Sequence, residues 1–285
     1  MLPVANDYAF VVSKRSSMRL SGKHLREGLV VKAGKLLTLW IIVKSFYVTL
    51  HISVLAIYYS YRSLDSRAAC DRLLHWWSTR LLKFVKITHE TIYSQHVEFK
   101  PNCRYIIMSN HSSLYDIPIV YMALPPVSIR MLTKKELFKF PIWGRGMKTA
   151  EFISIDRTNR RQAFRDLQEA RMKMESGIVL WVAPEGTRSR TGELLPFKKG
   201  AFMLALQTGA TIIPVGIRGA YDVLPAKTSH FHLGRHVEVH IGRPIDASRF
   251  KKQDRDLLMQ EVESQIRELT GVSRSRQVDD PQGDT

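Results

Sequence analysis

Cysteine is nearly absent: Cys70 and Cys103 are the only two in 285 residues, and they do not form a C-x-x-C. Neither a disulfide framework nor a thiolate metal site is indicated, and both residues read as buried thiols in a reducing compartment. A secretory signal is also missing, because the first strongly apolar block starts near Leu36 and no small-residue cleavage site closes it. There is no P-loop, no H-E-x-x-H and no G-x-S-x-G elbow, which argues against a P-loop nucleotidase, a zincin or an α/β-hydrolase. Gly144-Arg-Gly146 opens a dinucleotide pattern, but Thr149 stands where its third glycine belongs.

Acidic residues are scarce relative to basic ones. Lys and Arg number 43 against 26 Asp and Glu, for a net charge of +17, which favours a polyanionic partner: nucleic acid, anionic lipid or a phosphorylated substrate. The apolar share of 45% and charged share of 24% are otherwise those of a globular chain with a real core.

Three stretches differ in grammar. The first, residues 1–90, begins with Lys14, Arg15, Arg19, Lys23, Arg26, Lys32 and Lys35 against Asp7 and Glu27, a bias suited to the cytoplasmic side of an anionic membrane. Leu36 to Tyr61 then matches the roughly 20 apolar residues that span a bilayer. Lys44 and His51 within it leave two readings open, a full span or a segment dipping into one leaflet. From Asp65 to Lys86, Leu73, Trp76, Trp77, Leu81 and Val85 fall at helical spacing among Arg and Lys. This suits either the headgroup boundary or packing on a soluble domain.

The second stretch, 91–272, reads as α/β. Strands are expected at 104–109, 152–155, 178–183 and 211–217, and at the alternating Val237, Val239 and Ile241. Helical faces are expected through Ala163, Leu167, Ala170 and Met174, over 202–207 ended by Gly209, and through Leu258, Val262, Ile266 and Leu269. The third stretch, 273–285, is polar and free of aromatics, and reads as a disordered tail.

Polar clusters follow these strands, where α/β folds place ligand sites. Asn110-His111-Ser-Ser-Leu-Tyr-Asp116 sets a histidine five residues before a carboxylate. On one regular helix the two side chains would diverge by about 140°, so His111 must precede the helix if they are to touch. Asp116 would then hold one ring nitrogen and leave the other as a base for a hydroxyl. Alone, the pattern also suits a histidine that caps a helix. Arg157 ends the Phe152–Arg157 run as a candidate phosphate clamp, within a span (130–165) whose ten Arg and Lys against three acids also suit a solvated surface. Pro184-Glu-Gly-Thr-Arg-Ser-Arg190 offers a glycine, hydroxyls and arginines, the parts of an anion site. Pro214 argues for an edge position or a bulge in the 211–217 strand.

These four blocks, in this order, resemble the glycerolipid acyltransferase family, and most closely its 1-acylglycerol-3-phosphate acyltransferases. The family's N-H-x-x-x-x-D is matched at Asn110, His111 and Asp116, its F-I-x-x-D-R at Phe152, Ile153, Asp156 and Arg157, its P-E-G-T-R-S at 184–189, and its I-P-V at 213–215. The resemblance implies a histidine base with an aspartate partner. It implies contact with the acceptor phosphate by Arg157, Glu185, Gly186, Thr187 and Arg188, and an acyl pocket near Ile213, Pro214 and Val215. Many members begin the second block with glycine, whereas Ala150-Glu151 stand there here.

The fold expected is α/β, a mixed sheet flanked by helices and preceded by a membrane-associated helical pair. The reaction implied is acyl transfer from a thioester of coenzyme A or acyl carrier protein to the sn-2 hydroxyl of lysophosphatidic acid, giving phosphatidic acid. Neither a cofactor nor a metal is called for. Amides near Ser112 and Ser113 are expected to meet the oxyanion. The expected partners are the bilayer and the two substrates, without nucleic acid, and the site is expected on the cytoplasmic face of a membrane. Another acceptor, such as glycerol 3-phosphate or a different lysolipid, is the enzymatic alternative. A binder of anionic lipid or nucleic acid is the non-enzymatic one.

Overall fold

The computed structural model describes residues 30–62, 65–155 and 160–271. The basic segment before residue 30, Asp156, Arg157 and the expected tail at 273–285 lie outside the described residues. In chain order the elements are β1 (Val31–Lys32), α1 (Lys35–Arg62), α2 (Ser66–Phe84), β2 (Thr88–Tyr93), β3 (Tyr105–Ser109), α3 (Asp116–Ala123), β4 (Ile129–Lys134), α4 (Pro141–Thr149), β5 (Ile153–Ile155) and α5 (Arg160–Glu175). There follow β6 (Val179–Val182), α6 (Lys199–Thr208), β7 (Thr211–Arg218), α7 (Ala220–Val223), β8 (His232–Leu233), β9 (His236–Ile241), β10 (Ile245–Asp246) and α8 (Arg255–Thr270).

No glycine or proline interrupts the 28 residues of α1. At about 1.5 Å per residue it is roughly 42 Å long. The helix α2 starts where the Asp65 carboxylate accepts from the Ala68 amide at 3.2 Å. It runs back along α1, with Trp40 edge-on to Phe84, the Trp77 indole donating to Thr49 Oγ1, and His51 against Trp76.

The sheet has the order β2-β9-β7-β3-β6-β4-β5, with β10 also paired to β7. From β7 through β5 the strands run parallel, while β9 is antiparallel to β7 and β2 is parallel to β9. Alternation divides its side chains between two layers. Ile107, Trp181, Ile213, Val215 and Ile217 face α2 and α3, and Ile106, Met108, Leu180 and Ile212 face α5, α6 and α8. At Gly216 a Cβ would lie 2.5 Å from the Leu269 backbone, so α8 packs closely only because that side chain is missing.

The expected strands and helices are present, with four differences. The sheet begins at Thr88, so the expected boundary at residue 90 falls inside β2, which was not foreseen. Cys103 is exposed on the loop before β3, because the turn at 101–102 carries it away from the core; Cys70 is buried as expected. Pro214 is not at an edge, since β7 has β3 on one side and β9 and β10 on the other. It lies where the neighbour changes from β10, which ends opposite Ile212, to β9, which begins opposite Val215. Its carbonyl accepts from Gly242 at 2.8 Å on that interrupted side, so its ring nitrogen faces the same gap and no ladder donor is lost. Finally, Glu151, where the family resemblance leads one to expect glycine, takes the left-handed φ of +64°.

Candidate active site

The adjacent parallel strands β3 and β6 end beside one another, and each feeds a polar loop. His111 leaves the end of β3 five residues before the start of α3, so it is free to turn back on Asp116. His111 Nδ1 lies 2.8 Å from Asp116 Oδ2, and the carboxylate is fully buried. With Nδ1–H donating there, Nε2 is the ring nitrogen left with a lone pair. The imidazole meets Trp181 edge-on at 5.8 Å, and the indole N–H donates to Ser109 Oγ, fixing that wall.

The β6 loop is bolted to the β3 loop. Glu185 accepts from the His111 amide at 2.7 Å through Oε1 and from the Leu195 amide at 2.9 Å through Oε2. Ser189 donates its amide to the His111 carbonyl at 2.7 Å. Burial pushes the Glu185 carboxyl up to about 7, against the lowering pull of those two amides. Asn110 bridges to β7 by donating to the Ile217 carbonyl at 2.9 Å and accepting its amide at 2.8 Å.

A cavity of about 1150 Å³ opens from this rim. His111, Trp181, Gly186, Thr187, Arg188 and Lys198 line one end, and its walls are apolar residues of α1, α2 and α4, among them Ile52, Leu74, Trp77 and Met147. Burial lowers the Arg188 guanidinium from its ordinary value and the nearby Asp116 charge opposes this, so cation and dyad share one field.

A family model described as Acyltransferase matches residues 87–218. That segment, a little under half of the chain, carries the likeness to this family. The 1-acyl-sn-glycerol-3-phosphate acyltransferase of Cocos nucifera is 39% identical over 121 residues, which are 42% of this chain and 39% of that protein. The enzyme of the same name from Limnanthes douglasii is 42% identical over 119 residues, 41% of this chain and 42% of its own. The chain therefore spans about two-fifths of the length of these curated relatives. The crystal structure of the 1-acyl-sn-glycerophosphate (LPA) acyltransferase PlsC from Thermotoga maritima is similar at a TM-score of 0.67 and 25% identity. The match covers 82% of this chain and 95% of that one.

Within the matched segment the blocks divide by what they touch. His111, Gly186, Thr187 and Arg188 meet on the cavity, as the sequence led one to expect. Arg157 lies outside the described residues. Three expectations change. Glu185 is buried with both oxygens committed to backbone amides, so it holds loops together instead of reaching a phosphate. The amides of Ser112 and Ser113 donate to Asp116 Oδ2 at 2.8 and 2.9 Å, so they serve the dyad and not an oxyanion. Ile213 and Val215 point into the layer between the sheet and α3, and neither they nor Pro214 line the cavity.

Sequence reasoning missed Lys198, whose amide donates to the Pro184 carbonyl at 2.7 Å and whose stem passes Gly186, adding a second cation to the cavity lining. It also missed the fully buried Arg130, which donates to Asp71 Oδ1 at 2.6 Å and to the Ala150 carbonyl, tying α2 to β4. Lys198 sits in a plain Lys-Lys pair and Arg130 in a basic span, so neither carried a signal.

Proposed function

We propose that this protein transfers an acyl group from a thioester to the sn-2 hydroxyl of 1-acyl-sn-glycerol 3-phosphate, giving phosphatidic acid and a free thiol. The observation that carries the reading is a His111–Asp116 dyad at the polar end of a large apolar cavity, with Arg188 and Lys198 at the same end. His111 Nε2 takes the hydroxyl proton as the oxygen attacks the thioester carbonyl. The C–S bond breaks, and the imidazolium returns the proton to the departing thiolate, so no acyl-enzyme is required. Arg188 and Lys198 hold the phosphate, and Arg157 is assigned the same task from the family block. Thr187 and Gly186 shape the loop that approaches it. The donor is an acyl thioester of coenzyme A or acyl carrier protein, and no other cofactor is invoked.

The apolar walls favour a lysolipid over glycerol 3-phosphate, and a binder of anionic lipid or nucleic acid would leave the oriented dyad without a purpose. The bilayer is the source of the acceptor in this reading. The helix α1 is long and apolar enough to cross a membrane by length and composition. However, α2 runs back beside it with Arg72, Arg80 and Lys83 exposed, and a spanning α1 would draw those charges into hydrocarbon. The pair instead lies along one leaflet, with Leu36, Leu39, Val43 and Phe46 toward lipid. The basic bias of residues 14–35 supports placing that leaflet on the cytoplasmic face. The test is thiol release by purified protein with lysophosphatidic acid, glycerol 3-phosphate and neutral lysolipids at a fixed donor. Selective turnover of lysophosphatidic acid is expected, and equal rates on all acceptors would defeat the assignment.

A further inference from the structure

The basic run at 130–165 is only partly absorbed by the proposed site. Between β4 and α4 the chain makes a short 3-10 turn, Lys135–Lys139, and then enters α4 through Phe140-Pro141-Ile142. Phe140 is 53% and Ile142 46% exposed, and the Phe140 ring leans on Trp143 at 5.6 Å. Around this apolar tip Lys134, Lys139, Arg145 and Lys148 are all exposed, and Glu136 is the one exposed acid of the segment. Two large apolar side chains at the tip of a turn, ringed by cations, are what an anionic lipid surface takes up. The aromatic and aliphatic groups enter the acyl boundary and the ammonium groups stay with the headgroups.

Two contacts make this tip continuous with the apolar outer face of α1. A Cβ on Gly146 would lie 2.6 Å from Ser53 Cβ, so α4 rests directly on α1. The Arg145 guanidinium donates to the Tyr61 hydroxyl and lies over its ring at 5.8 Å. The segment also forms part of the cavity wall, since Lys134, Leu137, Trp143 and Met147 line the cavity while Phe140 and Ile142 face outward.

We infer that residues 134–148 are a second membrane contact, a wedge that docks the cavity wall onto an anionic phospholipid leaflet through Phe140 and Ile142 and a ring of lysines and arginine. It deepens the membrane reading above and rests on it for the orientation of α1. An anionic lysolipid in that leaflet then lies beside the wall it must pass, and the lysines concentrate it there.

The test uses the full chain reconstituted in vesicles of phosphatidylcholine alone, or with one-third phosphatidylglycerol. In a Cys103→Ser background, Phe140→Cys carries a polarity-sensitive dye. Its emission should shift to the blue in the anionic vesicles relative to the neutral ones, and the same emission in both overturns the proposal. This readout needs no turnover, so it stands even if the acyl acceptor is another lipid. Lys139→Glu combined with Lys148→Glu should cut turnover of vesicle-borne lysophosphatidic acid about tenfold in anionic vesicles. It should leave the rate in neutral vesicles and in detergent as in wild type. An equal loss in all three settings would show damage to the wall itself and also overturn the proposal.

Discussion

The rim of the cavity and its helical wall are built by opposite means. The rim is polar and over-determined: Asp116 Oδ2 alone receives His111 Nδ1 and two backbone amides, and Glu185 and Ser189 clamp the His111 main chain from both sides. The wall is apolar and loosely specified, and α1 is held by van der Waals contact with α2 and α4 plus single polar contacts such as Trp77 to Thr49. Among the described residues, α2 is tied by charge to β4 through Asp71–Arg130 and to the turn before β5 through Arg67–Glu151. In the proposed reaction the rim holds one proton-transfer geometry, whereas the wall need only exclude water and accept chains. Substitutions in the rim should therefore change chemistry more than stability, and substitutions in the wall the reverse.

The sharpest separation is expected from His111→Ala. Loss of the base should lower kcat by about 10²- to 10⁴-fold with an unchanged melting temperature, as followed by thiol release and thermal unfolding. A matching fall in stability would erase the distinction between rim and wall. On the other side, Asp71→Ala leaves the Arg130 guanidinium buried without its counter-charge and should cost about 3–5 kcal/mol in denaturant unfolding. At temperatures where the variant stays folded its kcat should remain near wild type.

Arg188→Ala should lower kcat/KM for lysophosphatidic acid by about one to two orders of magnitude, the worth of a charged hydrogen bond of about 1.5–3 kcal/mol. Lysine at 188 should recover part of this, and an acceptor without phosphate should be indifferent to both changes. Equal losses on the two acceptor types would make Arg188 part of the scaffold.

Glu185 is the rim residue whose contribution pH can isolate. Its folded-state carboxyl titrates near 7, above the ordinary 4.5, so between those values the folded protein binds a proton that the unfolded chain has released. Its contribution to stability is therefore present in full below about 4.5 and declines as pH rises toward 7. Glu185→Gln should flatten that decline in a series of melting temperatures against pH, and an unchanged slope would mean the carboxyl titrates normally.

The smallest effect is expected at Glu151. Burial works to raise its carboxyl, but Arg67 and Lys173 hold it below the ordinary value, so the residue gives α2 an ion pair while strained at a φ of +64°. Glu151→Gly trades the pair for relief of strain and should stay within about 1 kcal/mol of wild type. Glu151→Ala loses the pair and keeps the strain, and should be the less stable of the two. The reverse order would show that the strain is negligible.

What the sequence made legible follows from how local each feature is. The strands of the α/β half carry their own β-branched runs, and the His111–Asp116 contact depends on five residues of chain at one strand end, so both could be read. Glu185 could be named but not given its task, because its partners are the backbone of His111, 74 residues away, and of Leu195. The amides of Ser112 and Ser113 were expected to face substrate because sequence does not record where an N–H points. β2 escaped notice because Thr88–Tyr93 is a half-exposed edge strand with a polar side, and its pairing with β9 joins residues 148 apart in the chain. The Ile213–Val215 block was assigned to an acyl pocket by resemblance, and its apolar run, the same whether it faces lipid or packing, held nothing to correct that.

The clamp on His111 also orders events during synthesis. The residue is translated well before Glu185 and Ser189, the two that fix its backbone, and α1 leaves the ribosome earlier still. Domains made from the N-terminus form as their parts emerge, at about 5–20 residues per second. In the proposed reading, the apolar helix thus has seconds in which to find a membrane while the histidine is still unheld and the proposed base is not yet assembled. A chain interrupted before residue 185 would carry the motif and the helix but no working rim. Under the proposed function, thioester turnover would become possible only after the apolar helix has had time to reach lipid.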